Sequence, residues 1–594
     1  MTSFLSIPQY SPLLILAEGL STFAGLWGVG MALLNAFSLR LPSPWDHVTA
    51  ILLGIQALSL TVQVAAVNEL ASPRVLHGIW WVLIVIGVSM LLVRTYFIPV
   101  TRSTLFSTCF GPAVLPMAIV ASAVVLNALI ALAPSTKIDE LYYHMLMPSR
   151  IVADGALRFY REPFLGAIWP QMVYQISAAP THAMGFPDSS NIVSLALSAT
   201  LFWFAWRIIR ANANSPTWTA ICVASLCVGT YPAVWHVTAG AHAMGDLAMA
   251  AAIVAFCLGD RLLAALPPAV FSAMLSVLLL SAATSKLSLV PICGVLLCAG
   301  LWRFVKSESP LVRRQVALAG ALPWIIFYCP IVWWTWTHSG TPFGPVLAGL
   351  KNFQWEKDLG GMPWFMIRNA AIGYSPLIWL GAIASIFTSD FAKSRRVFLA
   401  CLLALQCLLI YWFMPYDLRY LTLHYGLFIV FGFFGPRAIQ ERLVSARVVF
   451  VAASVFLIPW LAIQFYYAKQ FFLVSTGLEK DSFYQRHVAL YSDFIELDSL
   501  LAKDTVLLAV VPGFRISAVY APRPIFFDPV DLPAGKPVAL ITLPGALDAS
   551  MLLNSYRIAD EIYADSNAVI VAYRTPGRAP LLGALKVVKL VATQ

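Results

Sequence analysis

Apolar residues in this chain come in runs of about twenty broken by short polar connections, the length a helix needs to cross the hydrocarbon of a bilayer. About fourteen such runs are legible, over 12–38, 48–68, 75–98, 111–134, 189–207, 216–234, 246–263, 267–283, 286–303, 316–337, 372–388, 397–414, 421–436 and 447–468. The pair meeting at Ser285 and Lys286 reads either as two helices or as one broken segment. Past Lys469 the pattern changes. Strand-like runs at 506–511, 538–543 and 568–573 alternate with helix-like stretches such as 549–564, which predicts a small α/β domain of roughly 120 residues over 469–594. The expected fold class is mainly α: a polytopic membrane helix bundle with a small C-terminal α/β extramembrane domain.

Composition supports the membrane and charge orients the chain in it. With 60% hydrophobic and 11% charged residues among 594, the apolar surface exceeds what a soluble core can hide, whereas lipid accepts it. A formal charge of +10 would suggest nucleic acid in a soluble protein. Here the cations fall in alternate connections: Arg207 with Arg210, Arg261, Arg303 with Lys306, Arg313 and Arg314, Lys393 with Arg395 and Arg396, Arg437 with Arg442 and Arg447. That alternation is a topology signal, with this set cytoplasmic and no nucleic-acid partner. The outward set is then the loop 135–188, the short His236 to Asp246 connection, the loop 339–371, the 416–420 turn and the C-terminal region. The nine cysteines show no Cys-x-x-Cys spacing and support neither a disulfide scaffold nor a zinc site. The first residues lack the basic stretch and cleavage site of a signal peptide, so the first apolar run is expected to be retained.

The informative stretch is KIDELYYHMLMPSRIVADGALRFYREPF, from Lys137 to Phe164. Asp139 and Glu140 stand at the outer mouth of a spanning helix, ahead of a segment whose Leu141, Met145, Met147, Ile151 and Leu157 suit a helix lying along the membrane surface. On such a helix Glu140 and His144 share one face, as do Asp139 and Tyr143. A carboxylate beside the membrane loses solvation, which raises its pKa and makes it a better base. The other reading is that the two acids cap the surface helix and interact with its dipole. Residue types alone leave these two readings even.

The segment from about Ala133 to Phe202 resembles the GT-C superfamily of polytopic glycosyltransferases, specifically the bacterial branch similar to the protein mannosyltransferase and aminoarabinose transferase families. Those enzymes carry an acidic pair in the first large outward loop, often followed by Tyr-His and a Pro. Here the matching positions are Asp139, Glu140, Tyr143, His144, Pro148 and Gly155, then the run IWPQMVYQ at 168–175. The resemblance implies that Asp139 is the catalytic base, with Glu140 beside it orienting groups or binding a metal. It also implies substrate-binding roles for Tyr143, His144, Asp246, Lys286, Arg419 and Tyr420, the last two in YDLRYLTLHYG. Against these stand plainer readings: a helix cap for Asp246, a snorkelling side chain for Lys286 and an interfacial anchor for Arg419. His236 and His242 flank the second outward turn, ahead of Asp246, yet two His six apart match no metal motif. The stretches GTPFGP and QWEKDLGGMPWF in the loop 339–371 read either as a lid hinged at Gly360 and Gly361 or as an aromatic anchor.

By this resemblance the chain divides into additional N-terminal helices over 1–110, a catalytic transmembrane region over 111–468 and an extracytoplasmic domain over 469–594. The expected activity is transfer of a sugar from a polyprenyl-phosphate donor to a glycan, lipid or protein acceptor on the outer face of the inner membrane. The lipid-linked sugar is the co-substrate, and a divalent metal is left open. The rival readings are a lipid or glycan transporter and a non-catalytic membrane assembly protein.

Overall fold

A computed structural model of the chain describes residues 11–97, 113–137, 140–159, 169–213, 215–307, 309–340, 362–387, 391, 393–413, 418–440, 446–479, 481–487, 501–502, 504–509, 525–526, 532–533, 538–542, 556–565, 569–570, 581–582 and 585–592. Each of the fourteen expected apolar runs contains a helix. The first four are α1 (Pro12–Ala36), α2 (Trp45–Val67), α3 (Pro73–Phe97) and α4 (Val114–Leu132). Three short helices follow in the first long connection, α5 (Leu146–Asp154), α6 (Val173–Ser177) and α7 (Ala179–Ala183), before α8 (Ser189–Asn212). Next come α9 (Pro216–Cys227), α10 (Thr230–Trp235) and α11 (His242–Cys257).

Among the described residues, seven helices are long and apolar enough to cross a membrane alone, and five more apolar helices run to 10–17 residues. The shortness has local causes. The run 216–234 stops at Cys227 because Gly229, at φ 120°, turns the chain before α10. The helices Pro268–Ala283 and Val290–Ser307 pack on each other as separate elements, so Ser285 and Lys286 mark a connection between two helices. The run near 372–388 is bent by 109° between Ile367–Gly373 and Pro376–Ile386, where Pro376 cannot continue a helix.

Helix α11 is the axis of the bundle. Its sequence HAMGDLAMAAAIVAFC has small side chains on every face, and every residue from His242 to Cys257 is buried, as expected of a helix that is apolar all round. It packs against α2, α8, Pro268–Ala283 and Leu423–Gln440. The periphery shows the reverse: Trp81, Val85 and Leu92 on α3, Leu318 and Trp333 on the 310–339 segment and Phe465 near the last long helix are exposed. Large apolar side chains pointing outward on long helices belong in lipid, and this is a multi-pass membrane protein.

The C-terminal region contributes a five-stranded sheet in the order β2-β1-β3-β7-β4, with β1 (Val506–Ala509) parallel to β2 (Ile525–Phe526) and to β3 (Val538–Thr542). Strand β7 (Leu585–Ala592) runs antiparallel to β3 and to β4 (Tyr556–Asp565). A two-residue pair, β5 (Val569–Ile570) with β6 (Leu581–Leu582), stands apart. The expectation of helix over 549–564 is corrected at β4. Register shifts at Ile558/Asp560 and Glu561/Tyr563 interrupt its alternation, so bulges hide the period of two that marks a strand.

Helices α1 and α2 approach closely enough that a Cβ on Gly54 would overlap the Leu26 carbonyl and one on Gly30 would overlap that of Ala50. Gly54→Ala should therefore cost about 1–3 kcal/mol through overpacking, read as a lower unfolding midpoint in detergent. Gly78→Ala, whose Cβ meets nothing within 4 Å, should leave the midpoint unchanged or raised.

Candidate functional site

The first long connection is fastened at both ends before it reaches its acids. The Asp188 carboxylate accepts from the Ser135 N–H at 3.0 Å and Asn191 donates to the Ser135 hydroxyl at 3.0 Å, tying the chain to the start of α8. Lys137 reaches across to the Val234 carbonyl. The chain then forms a π-turn over Glu140–His144, in which the Met145 N–H donates to the Glu140 carbonyl at 2.8 Å. Pro148 explains the wider turn, because its ring would collide with the His144 carbonyl in a continuous α-helix. Helix α5 follows and ends on Gly155 in the left-handed conformation, φ 63°.

The surface-helix expectation for this segment is corrected. Leu141, Met145, Met147 and Ile151 are almost completely buried, and protein rather than lipid covers them. Part of the cover is the N-terminal helices: Ala71 donates to the Gly155 carbonyl and Leu157 to that of Ala66, both at 2.9 Å. His77 on α3 hydrogen-bonds the Ala183 carbonyl at 2.7 Å. On another side the Arg150 guanidinium lies 4.4 Å from the Phe526 ring of β2.

Residues 231–246 form the hub of the site. The Glu140 carboxylate, 3% exposed, accepts from the Ala239 N–H at 3.0 Å. Burial pushes its pKa up to about 7, against the pull of the Lys137 ammonium and that backbone N–H. The Gln175 amide donates to His144 Nδ1 at 2.7 Å and to the Ala239 carbonyl at 3.4 Å. The His144 ring stands edge-on to the His242 ring, centroids 6.1 Å apart. A Cβ on Gly240 would lie 2.8 Å from His242 Cδ2 and 3.3 Å from His144 Nε2, so the glycine keeps this gap open. His242 also meets Trp235, at 4.8 Å between centroids, and neither of its ring nitrogens has a hydrogen-bond partner among the described residues.

The cations reach the same hub from later helices. Arg419 lies 4.8 Å from the Trp235 ring and 5.2 Å from the Tyr420 ring, and its carbonyl accepts from Lys286. Asp246 lies beneath: its Oδ2 accepts from His236 Nε2 at 2.9 Å and from the Tyr231 hydroxyl at 3.1 Å, with Asp246 and His236 side chains 0% exposed. It therefore pins the hub from below. Tyr231 stacks on Tyr374 at 4.6 Å, extending the pin into an aromatic layer.

The structure thus brings Glu140, His144, Lys286, Arg419 and Tyr420 to one end of the bundle and sets Asp246 behind them. Asp139 and the side chain of Tyr143 lie outside the described residues, as do most of the loop 339–371 and its two glycines. Among the described residues no three His, Cys, Asp or Glu side chains group to hold a metal ion. Four contributors escaped the sequence reading. Gln175 was visible only as the end of a polar-aromatic run, and Lys137 only as the residue opening the acidic loop. Trp235 and the Ala239 N–H carried no signal, because their roles depend on which chain segment lands on the turn.

Fold and site together define a multi-pass membrane protein with a polar cluster of carboxylate, imidazole and cations at one end of its bundle. No family model matches the chain, and no curated protein matches it. Among solved structures it is similar to the crystal structure of ArnT from Cupriavidus metallidurans in the apo state, at 13% identity and a TM-score of 0.48, covering 79% of this chain and 97% of that one.

Two expectations follow from the geometry. His236→Ala leaves Asp246 buried without its imidazole and should destabilise the fold by about 3–5 kcal/mol, measurable as lost thermal stability in detergent. Glu140 keeps its proton to about pH 7 when folded, against an ordinary 4.5. Its contribution to stability is complete below that ordinary value and is lost as pH rises through about 7. The unfolding midpoint of the wild type should therefore fall relative to Glu140→Gln across that window. His182 titrates in both proteins and cancels in the difference; Asp188 also titrates in both, and its charge is one cause of the raised Glu140 pKa, so the difference reads Glu140 together with that interaction.

Proposed function

We propose that this chain is a membrane glycosyltransferase that takes a sugar from a polyprenyl-phosphate donor and places it on an acceptor hydroxyl or amine. The observation that carries the reading is the buried Glu140 carboxyl, poised near pH 7 and hydrogen-bonded to Ala239, at a hub that also gathers His144, Lys286 and Arg419. The acidic-pair sequence around Asp139 supports it.

The residues divide the work as follows. The Arg419 guanidinium, backed by Lys286, holds the phosphate of the lipid carrier, a task for which the planar fork suits Arg better than Lys. Asp139 takes the acceptor's proton as the acceptor attacks the anomeric carbon. The bond from that carbon to the phosphate oxygen breaks, its electron pair stays on the oxygen, and polyprenyl phosphate leaves. A single in-line displacement inverts the anomeric centre. Glu140, fixed by the Ala239 N–H, orients the acidic segment, and Tyr143, His144 and Tyr420 contact substrate. The region 111–468 is the catalytic unit, braced by the helices of 1–110 and joined by the extracytoplasmic domain 469–594. The alternation of cations supports an extracytoplasmic site in the inner membrane.

One observation favours the rival transporter reading: the helix pair bent by 109° at residues 373–376, since broken helices line transport sites. The two readings separate on covalent chemistry. With a polyprenyl-phosphate-linked sugar and an acceptor in detergent, the enzyme reading expects Asp139→Asn to lower transfer at least about 100-fold while folding normally, and Arg419→Lys to weaken donor use. Undiminished transfer by Asp139→Asn removes that residue from the mechanism. Movement of lipid-linked sugar across vesicles with no transfer product would establish the transporter.

A further inference from the structure

The opposite end of the same bundle carries a group of cations that the proposed reaction does not use. Helix α8 begins beside Ser135 at the Glu140 end, and Arg207 and Arg210 lie near its other terminus, roughly 30 Å away at 1.5 Å per residue. There a cavity of about 540 Å³ is lined by Arg207, Arg210 and Arg261 together with Trp45, Leu258 and Phe433. No carboxylate is among its lining residues. The two acids nearest in sequence are engaged elsewhere: Asp260 pairs with Arg395 at 2.7 Å, and Asp46 with Arg94 at 3.1 Å.

Three exposed guanidiniums around one open cavity make a positive potential that favours an anion there, and Arg207 and Arg210, three apart on α8, share a helix face. Their existing contacts leave donors to spare. Arg210 gives one N–H to the Ala213 carbonyl at 2.7 Å, and Arg261 stacks 4.9 Å from the Phe433 ring. A wall of Ile208, Leu258, Leu262 and Phe433 beside these cations suits a molecule that is anionic at one end and apolar at the other. The helix ends place the cavity where bilayer meets water, where phosphate esters of lipids are concentrated. We infer that this cavity is a binding site for the phosphate of an anionic lipid headgroup, with the three arginines as its ligands and the apolar wall against the glycerol and first methylenes.

The test titrates the full-length detergent-solubilised protein with phosphatidylglycerol and, separately, phosphatidylcholine, counting bound lipid by native mass spectrometry. The wild type should prefer phosphatidylglycerol. Arg207→Gln/Arg210→Gln/Arg261→Gln should weaken it roughly a hundredfold, about one fivefold step per arginine. Arg314→Gln, a cation outside the cavity, should not. An equal concentration of inorganic phosphate should fail to displace the lipid. Should the triple variant misfold, as read by elution and unfolding midpoint, Arg207→Gln alone is measured and is expected to weaken binding several-fold. Wild-type affinity in the folded variants, or displacement by phosphate alone, overturns the proposal.

Discussion

A buried carboxylate at the head of an otherwise apolar helix constrains everything built around it. Asp246 is held inside α11 with no exposed surface, and a charge in such a place is stable only if hydrogen-bonding partners come to it. His236 and Tyr231 are those partners, both from the chain segment just before α11. Meeting the demand folds residues 231–246 back over the helix head, and this fixes where the Val234 carbonyl, the Trp235 ring and the Ala239 peptide point. The working groups then attach to those fixed points: Lys137 to Val234, Arg419 to Trp235, Glu140 and Gln175 to Ala239.

The same arrangement sets the electrostatics. Glu140 is desolvated by the protein packed over the π-turn, and the Lys137 ammonium and the backbone N–H groups of Ala239 and Lys137 offset only part of that penalty. With the Asp188 carboxylate adding to the upward push, the result is a carboxyl able to hold or release a proton near neutrality. The N-terminal helices contribute by covering the segment that follows, through the Ala71–Gly155 and Ala66–Leu157 hydrogen bonds and His77 on Ala183. They are structural cover for the acidic loop, a purpose their composition alone did not disclose.

Much of this was legible beforehand because lipid imposes one dominant pattern. Long apolar runs become helices whatever their detail, and the cation-bearing connections mark one set of helix ends. The acidic loop was legible as a candidate for chemistry because two carboxylates, an imidazole and a proline cluster there. The surface helix was not legible correctly, since amphipathic spacing reads the same whether lipid or protein covers the apolar face; Met145 and Ile151 turned out to face protein. Asp246 read as a substrate-binding residue or a helix cap because sequence places it at a helix start but cannot show that His236 and Tyr231 fold over it. Strand β4 was obscured by its bulges, and the Trp235 platform was invisible because only tertiary structure brings Arg419 to it.

The most direct measurement is a structure of the full chain bound to polyprenyl phosphate. If Arg419 holds the lipid carrier, the phosphate lies within hydrogen-bonding distance of its guanidinium, over the Trp235–Gly240 turn and on the side of Glu140. A phosphate found away from that turn, with Glu140 and Arg419 unchanged and unreached, would contradict it.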